Sequence, residues 1–342
     1  MSRNKEFNLP VTVLIGSNRR NMRSITRGMQ IDRPYKLKHG ITLTISTILT
    51  LFSKIENRAK SKLIKQTEIT KAPIFVVGFW RLCQNPDFAF VSTFQTVFPN
   101  HTLSNQWWLK YVGAPFIPEY RPADKVKLEW ENPQEEELSL GNMQETSYYN
   151  FMYFPNSFEK YLNKGLLLEN LNEKELKIWE DAYTKLIKTA IINTNGQRFV
   201  SKNPPNAFRI PQLLKMFPDA RFINISRNEE EVIFSFKRFM VEVLKGTALQ
   251  DFNLEILDRQ VKDLYDIYKK KYNKDKLLIP RGNLVEIDYH EFVDHKIEGI
   301  KHIYDALGLD GFESSLPMMK DYLEETKDFQ PWDHRKIQKK RH

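Results

Sequence analysis

The chain of 342 residues is long enough to bury the core of a full domain, and its 41% hydrophobic and 28% charged residues exclude a disordered chain. A single cysteine, Cys83, excludes an internal disulfide framework and favours a reducing compartment, so we expect a cytoplasmic protein. The net charge of +9 is concentrated in the first 71 residues, which hold 15 Lys and Arg against 4 Asp and Glu. Such a balance suits contact with an anionic surface.

The first 70 residues are predicted to form a basic helical extension. Residues 40–52 are the most apolar run, but they are shorter than the roughly 20 residues of a spanning helix. The run continues into a Lys- and Arg-rich stretch, which predicts an amphipathic helix with a cationic end. We expect this helix to pack on the following domain. Peripheral membrane contact through residues 1–66 is the alternative, and nucleic acid is not expected as a partner.

From residue 71 the pattern changes to short apolar runs separated by longer segments of helical period. Such alternation predicts βαβ units and a parallel sheet of about five strands flanked by helices, an α/β domain of residues 71–332 followed by a basic tail, 333–342. Ligands of such sheets bind at the carboxyl ends of the strands. The predicted strands are residues 73–78, 88–94, 198–202, 221–226 and 284–288, and the main helices are 173–193, 206–217, 229–244, 254–273 and 296–307.

Cationic side chains follow two of the predicted strands. Arg227 comes directly after the strand 221–226, and Ser235 lies eight residues further on, about two turns into the next helix. An arginine beside a hydroxyl can hold a phosphate, although a structural ion pair would also explain Arg227. Lys202 ends the strand 198–202 and is followed by the rigid turn Asn-Pro-Pro-Asn. A lysine that simply points into water is the alternative there.

These two segments carry a family resemblance. Lys-Asn-Pro-Pro at 202–205, the run Phe-Pro-Asp-Ala-Arg-Phe-Ile-Asn-Ile-Ser-Arg-Asn-Glu-Glu-Glu-Val at 217–232, and Ser235 resemble the PAPS-dependent sulfotransferases, above all their broad bacterial branch. The similarity extends in order over about residues 70–332. It implies a P-loop-type three-layer sandwich in which a sulfuryl group passes from 3′-phosphoadenosine 5′-phosphosulfate to an acceptor hydroxyl or amine, without a metal. The acceptor could be a small molecule, a carbohydrate or a lipid.

The resemblance also implies roles for individual residues. Arg227 and Ser235 would bind the 3′-phosphate, and Lys202 would stabilise charge that develops on the bridging oxygen. Glu136, in an acidic segment that the resemblance includes, is a candidate base, although acids at a helix start need no other explanation. His101, after the second strand, is a second candidate base, with a structural turn histidine as the alternative.

The chain departs from the family after the first strand. There the family has Arg-Ser-Gly-Thr-Thr and a helix, whose N–H groups cradle the 5′-phosphosulfate. Here Arg81 is followed at once by Leu82, and the next strand begins at about Phe88, so Arg81 is the only residue of this motif that remains. The gap is too short for a crossover helix, which predicts a repositioned second strand or a strained connection. An inactive nucleotide- or anion-binding module is therefore the alternative function.

Overall fold

The computed structural model describes residues 12–77, 85–114, 119–120 and 127–325. Arg81 and the tail 333–342 lie outside these ranges. The α-helices are α1 (Arg19–Thr26), α2 (Lys36–Gln66), α3 (Thr93–Val97), α4 (Gln106–Gly113), α5 (Glu136–Met143), α6 (Phe158–Lys160), α7 (Glu173–Thr194), α8 (Ile210–Met216), α9 (Glu229–Thr247), α10 (Leu254–Asp275), α11 (Tyr289–Asp294), α12 (Lys296–Ala306) and α13 (Phe312–Glu325). Short 3₁₀-helices cover Val13–Gly16, Arg33–Tyr35, Tyr148–Met152, Pro155–Ser157, Pro204–Phe208 and Lys276–Leu278, and a π-helix covers Tyr161–Leu166.

Five parallel strands form the central sheet in the order β2-β3-β1-β4-β5. They are β1 (Ile74–Val76), β2 (Phe88–Ala89), β3 (Arg198–Lys202), β4 (Arg221–Ser226) and β5 (Leu284–Asp288). The predicted α/β fold with a parallel five-stranded sheet is confirmed. Strand β2 is shorter than predicted because α3 begins soon after it, where the Ser92 side chain accepts a hydrogen bond from the backbone N–H of Gln95 at 3.2 Å.

The core lies on both faces of the sheet. Alternate residues of β1 point to opposite faces, so Phe75 packs with the larger cluster and Ile74 and Val76 with the smaller one. Helix α7 contributes Trp179 and Tyr183 to the larger cluster. Since both faces are covered, β1 is an uninterrupted apolar run, which is why this strand could be recognised in the sequence.

Strand β2 lies at the edge of the sheet, on the far side of β3 from β1. Val76, at the end of β1, is paired with Lys202, and Phe88, at the start of β2, is paired with Arg198. The two strand ends are therefore four residues, about 13 Å, apart along the sheet and two strand spacings, about 10 Å, apart across it. The eleven residues 77–87 can span more than about 33 Å when extended. Chain length therefore does not restrict this placement of β2.

Helix α2 packs on the α/β domain, as expected from the sequence. The Glu56 carboxylate of α2 accepts hydrogen bonds from the backbone N–H groups of Leu103 and Ser104, at 2.7 and 3.0 Å. Further along, Lys185 of α7 donates to the side chain of Asn57 at 2.9 Å. These contacts fix which side of α2 faces the domain.

Candidate functional site

The carboxyl ends of β3 and β4 lie on either side of β1. Lys202, the last residue of β3, is paired with Val76, the last residue of β1. Arg227 directly follows Ser226 at the end of β4. Because β1 separates the two strands, the strands lie about 10 Å apart, and their registers place Lys202 level with Ile223, four residues or about 13 Å before Arg227. The structure thus brings Lys202 and Arg227 to the same carboxyl end of the sheet, without direct contact between the two side chains being required for their roles.

Arg227 forms an ion pair one turn into α9. Its Nε donates to Glu231 Oε2 at 2.6 Å, and its guanidinium lies 4.5 Å from the centre of the Tyr289 ring. The ion pair that was the alternative interpretation of Arg227 is therefore present. Its side chain is nevertheless 17% exposed, so it is not fully enclosed by the protein. Ser235 lies half-buried on the same helix, two turns further on.

Lys202 does not simply point into water. Its Nζ donates to Glu135 Oε1 at 3.2 Å, while Glu135 Oε2 accepts a hydrogen bond from the Tyr149 hydroxyl at 2.5 Å. Burial and the neighbouring Glu135 carboxylate raise the pKa of Tyr149 well above its usual value, so the phenol stays protonated and acts as a donor. Lys202 and Glu135 therefore form a half-buried ion pair, and the Tyr149 hydroxyl orients the Glu135 carboxylate.

The next two glutamates at the start of α5 point elsewhere, because successive helical residues are about 100° apart. Glu136 is fully buried and accepts a hydrogen bond from Ser201 Oγ at 3.0 Å. Glu137 accepts hydrogen bonds from both terminal guanidinium nitrogens of Arg209, Nη1 and Nη2, at 2.7 and 2.9 Å, with both side chains fully buried. The three consecutive glutamates therefore contact three different places: Glu135 contacts Lys202 at the end of β3, Glu136 contacts Ser201 within β3, and Glu137 contacts Arg209 in the core.

The pH dependence of stability is expected to report the buried Glu136. Burial raises its pKa from 4.5 to about 8, so the folded chain binds the extra proton between these values. Stability should then fall as pH rises through this window, by at most about 1.4 kcal/mol per pH unit. Glu136→Gln keeps a neutral group of similar shape and should flatten that slope. Urea unfolding of both proteins across the window measures it, and equal slopes would contradict the assignment.

The structure does not bring His101 to Lys202. His101 is buried beyond α3, with its ring edge-on to Phe98 and Nδ1 3.3 Å from the side-chain nitrogen of Asn105. Burial lowers its pKa from 6.5 to about 4. Its described contacts belong to the segment that Glu56 anchors, and its predicted role as a base remains an untested prediction.

Sequence reasoning missed two contacts of this region, the Lys202–Glu135 pair and the Glu137–Arg209 pair. Three consecutive glutamates were visible in the sequence, but nothing in it distinguishes which of them faces Lys202. Across the part of the chain that the structure describes, no three His, Cys, Asp or Glu side chains are grouped so that they could hold a metal ion. Nor is any helix within those ranges long and apolar enough to cross a membrane.

The fold agrees with comparisons to known proteins. The profile described as "Sulfotransferase family" matches residues 119–314, more than half of the chain. The chain therefore belongs to the sulfotransferase family, whose members transfer a sulfuryl group.

Individual relatives are mycobacterial. The chain is 27% identical over 298 residues to omega-hydroxy-beta-dihydromenaquinone-9 sulfotransferase Stf3 of Mycobacterium bovis and of Mycobacterium tuberculosis, which covers 83% of this chain and 74% of the relative. Among solved structures, sulfotransferase STF1 from M. tuberculosis has a TM-score of 0.63 at 16% identity, over 89% of this chain and 88% of that one. STF9 from Mycobacterium avium has a TM-score of 0.61 at 15% identity, over 91% and 88%. At 16% and 15% identity, the similarity to these two solved structures shows that the fold is shared.

Proposed function

We propose that the chain is a sulfotransferase that moves a sulfuryl group from 3′-phosphoadenosine 5′-phosphosulfate to the hydroxyl of a small-molecule or lipid acceptor. The observation that supports this most directly is the placement of Lys202 and Arg227 at the carboxyl ends of the two strands that flank β1. Two cations at one sheet edge suit a donor that carries negative charge at both ends.

On the donor side, Arg227 and Ser235 would hold the 3′-phosphate. A partly exposed guanidinium with a hydroxyl two turns along the same helix supplies the charge-assisted and neutral hydrogen bonds that a phosphate accepts. Arg81 would bind the 5′ end of the donor, and it lies outside the described residues. The donor supplies the sulfuryl group and a phosphate leaving group.

At the transferring group, Lys202 would stabilise the negative charge that develops on the bridging oxygen of the donor as its bond to sulfur breaks. Its carboxylate neighbour is Glu135, whereas Glu136 is fully buried beneath β3. We therefore assign to Glu135, rather than Glu136, the acceptance of the acceptor's proton. A carboxylate paired with a lysine and a tyrosine is already oriented at the sheet edge.

A lipid hydroxyl is the acceptor class that we favour. The name of the mycobacterial relative specifies an ω-hydroxylated menaquinone derivative as the molecule on which that enzyme acts. For the present chain we propose that the acceptor is a hydroxylated lipid.

We also propose that the protein is located in the cytoplasm. Its chain would divide into the extension 1–70, the catalytic domain 71–332 and the tail 333–342.

Replacing Arg227 by alanine is expected to raise the KM for the donor by roughly tenfold or more, with a smaller change in kcat, because a charge-assisted phosphate contact is lost in ground and transition states alike. Transfer of radiolabelled sulfate from the donor to a panel of hydroxylated lipids provides the assay. Lys245→Ala, an exposed change at the other end of α9, is the matched control.

The alternative is a nucleotide-binding module without turnover, which the short segment after β1 suggests. Adenosine 3′,5′-bisphosphate that binds through Arg227, with no transfer to any acceptor in the panel, would establish that alternative. Failure of the nucleotide to bind at all would contradict both functions.

A further inference from the structure

Helix α2 is inverted relative to an ordinary surface helix. An amphipathic helix normally buries its apolar stripe against the core. In α2 the buried side is mostly polar, and consists of Thr42, Ser46, Leu49, Ser53 and Glu56. The hydroxyls bond within the protein: Thr42 accepts from the Thr12 backbone N–H at 3.1 Å, and Ser46 donates to the Ser17 carbonyl oxygen. Leu49, Ile45 and Leu43 add apolar contacts on this side, but hydroxyls and a carboxylate make up most of the buried residues of α2.

The apolar stripe of α2 faces outward. Leu37, Ile48, Leu51 and Ile55 recur at helical spacing, and Leu51 and Ile55 are 63% and 65% exposed. Ile48, Leu51 and Ile55 form a contiguous row about 10 Å long, and Leu37 lies three turns before Ile48 on the same side, with Gly40 and Thr44 exposed between them. Isolated exposed apolar residues are common, but a contiguous row along one helix is not.

Helix α4 extends this apolar surface. Trp108 of α4 packs against Phe52 of α2 with ring centres 5.1 Å apart, so the two helices are neighbours. On α4, Trp107 and Tyr111 lie one turn apart and are 79% and 84% exposed. We call Leu37, Ile48, Leu51, Ile55, Trp107 and Tyr111 the α2–α4 face. Tryptophan and tyrosine are the residues that concentrate at membrane–water interfaces.

The charges around the α2–α4 face have one sign along α2. Apart from Lys38, which donates to the Gly246 carbonyl oxygen and so faces the domain, this helix carries Lys36, Lys54, Arg58, Lys60, Lys62 and Lys65. Its single acidic residue, Glu56, is buried and bonded to the segment 103–105. The exposed side of the helix is therefore apolar with a purely cationic rim, which matches the acyl boundary and anionic headgroups of a bilayer.

We propose that the α2–α4 face docks the protein on an anionic membrane surface, with α2 lying in the plane of the interface. Membrane docking would bring the proposed lipid sulfotransferase to its acceptor. Only this purpose depends on the proposed function, since the binding itself does not require activity. An acceptor hydroxyl on a lipid stays at the bilayer, so the enzyme must reach it there. A protein partner or a second copy of this chain would not require a rim of one charge sign.

The test is sedimentation with vesicles of phosphatidylcholine containing phosphatidylglycerol, compared with phosphatidylcholine alone. We expect binding to the anionic vesicles that weakens with salt. The double variant Leu51→Glu/Ile55→Glu should bind roughly 100-fold more weakly, since two side chains no longer enter the interface. The control is Leu277→Glu/Leu278→Glu, which changes the net charge equally at another apolar site, where the two leucines are 80% and 57% exposed. This control variant should bind the vesicles nearly as well as the unchanged protein.

Two further measurements separate the possible occupants. Brominated phospholipid should quench tryptophan emission, and less so in Trp107→Phe. Equal binding of the two double variants would overturn the proposal, and so would a concentration-dependent dimer that Leu51→Glu/Ile55→Glu dissociates. Vesicle binding is measured without turnover, so its loss in the α2 variant supports docking even if sulfuryl transfer is never detected.

Discussion

Replacement of Lys202 by methionine is expected to lower kcat/KM for sulfuryl transfer by a factor on the order of 100 to 1,000, with little change in the unfolding temperature. A cation placed where charge develops contributes chiefly in the transition state, so most of the loss should appear in kcat. Stability should change little because a partly exposed ion pair such as Lys202–Glu135 contributes about 1 kcal/mol or less.

The neighbouring glutamates provide the control for this measurement. Glu135→Gln removes the carboxylate beside Lys202 and should also reduce kcat, because an amide cannot accept the acceptor's proton. Glu136→Gln should leave turnover near neutral pH almost unchanged, since a carboxyl with a pKa of about 8 is already mostly protonated there. A Lys202→Met enzyme with most of its activity would show that the lysine is structural.

Replacement of Arg209 by methionine is expected to reduce the free energy of unfolding by about 3–5 kcal/mol, because it leaves the fully buried Glu137 carboxylate without its cationic partner, although Tyr148 N–H and Asn203 still donate to it. Arg209 also donates from Nε to the Leu166 carbonyl oxygen at 3.1 Å and lies 5.3 Å from the Trp179 ring centre. Urea unfolding followed by circular dichroism gives the free energy directly.

Two controls distinguish this core ion pair from ion pairs in general. Lys237→Met breaks the exposed Lys237–Asp258 pair and should cost about 1 kcal/mol or less. The double variant Glu137→Gln/Arg209→Met should be less destabilised than the sum of its two single changes, since neither charge is then left alone. Additive losses would show that the two side chains contribute independently.

The strands were predictable because their residues are apolar on both faces, as Ile74, Phe75 and Val76 illustrate. The placement of Lys202 and Arg227 on one side of the sheet was predictable because the carboxyl ends of parallel strands lie on the same side. The length of β2 was not, since the helix cap at Ser92 interrupts an apolar run that a pattern alone would continue.

Other features depend on contacts between distant parts of the chain. Arg209 and Glu137 are 72 residues apart, and a sequence without three-dimensional context gives no sign of their pairing. The amphipathic character of α2 was visible, but the side that packs on the domain is the polar one, since Glu56 and the hydroxyls find partners there. The apolar side therefore faces outward, contrary to the usual rule for surface helices.

The three glutamates at the start of α5 make this turn sensitive to changes in chain length. Deleting one residue just before Glu135 would shift the following residues by one position. Glu136 would then take the place of Glu135, and Glu137 the place of Glu136. Leu138 would then stand opposite Arg209 and leave a buried guanidinium unpaired. Insertions and deletions in this turn should be tolerated far less than substitutions at Glu135, which alter only the sheet edge. Natural variation in this segment is therefore expected to change residue identity while conserving residue number.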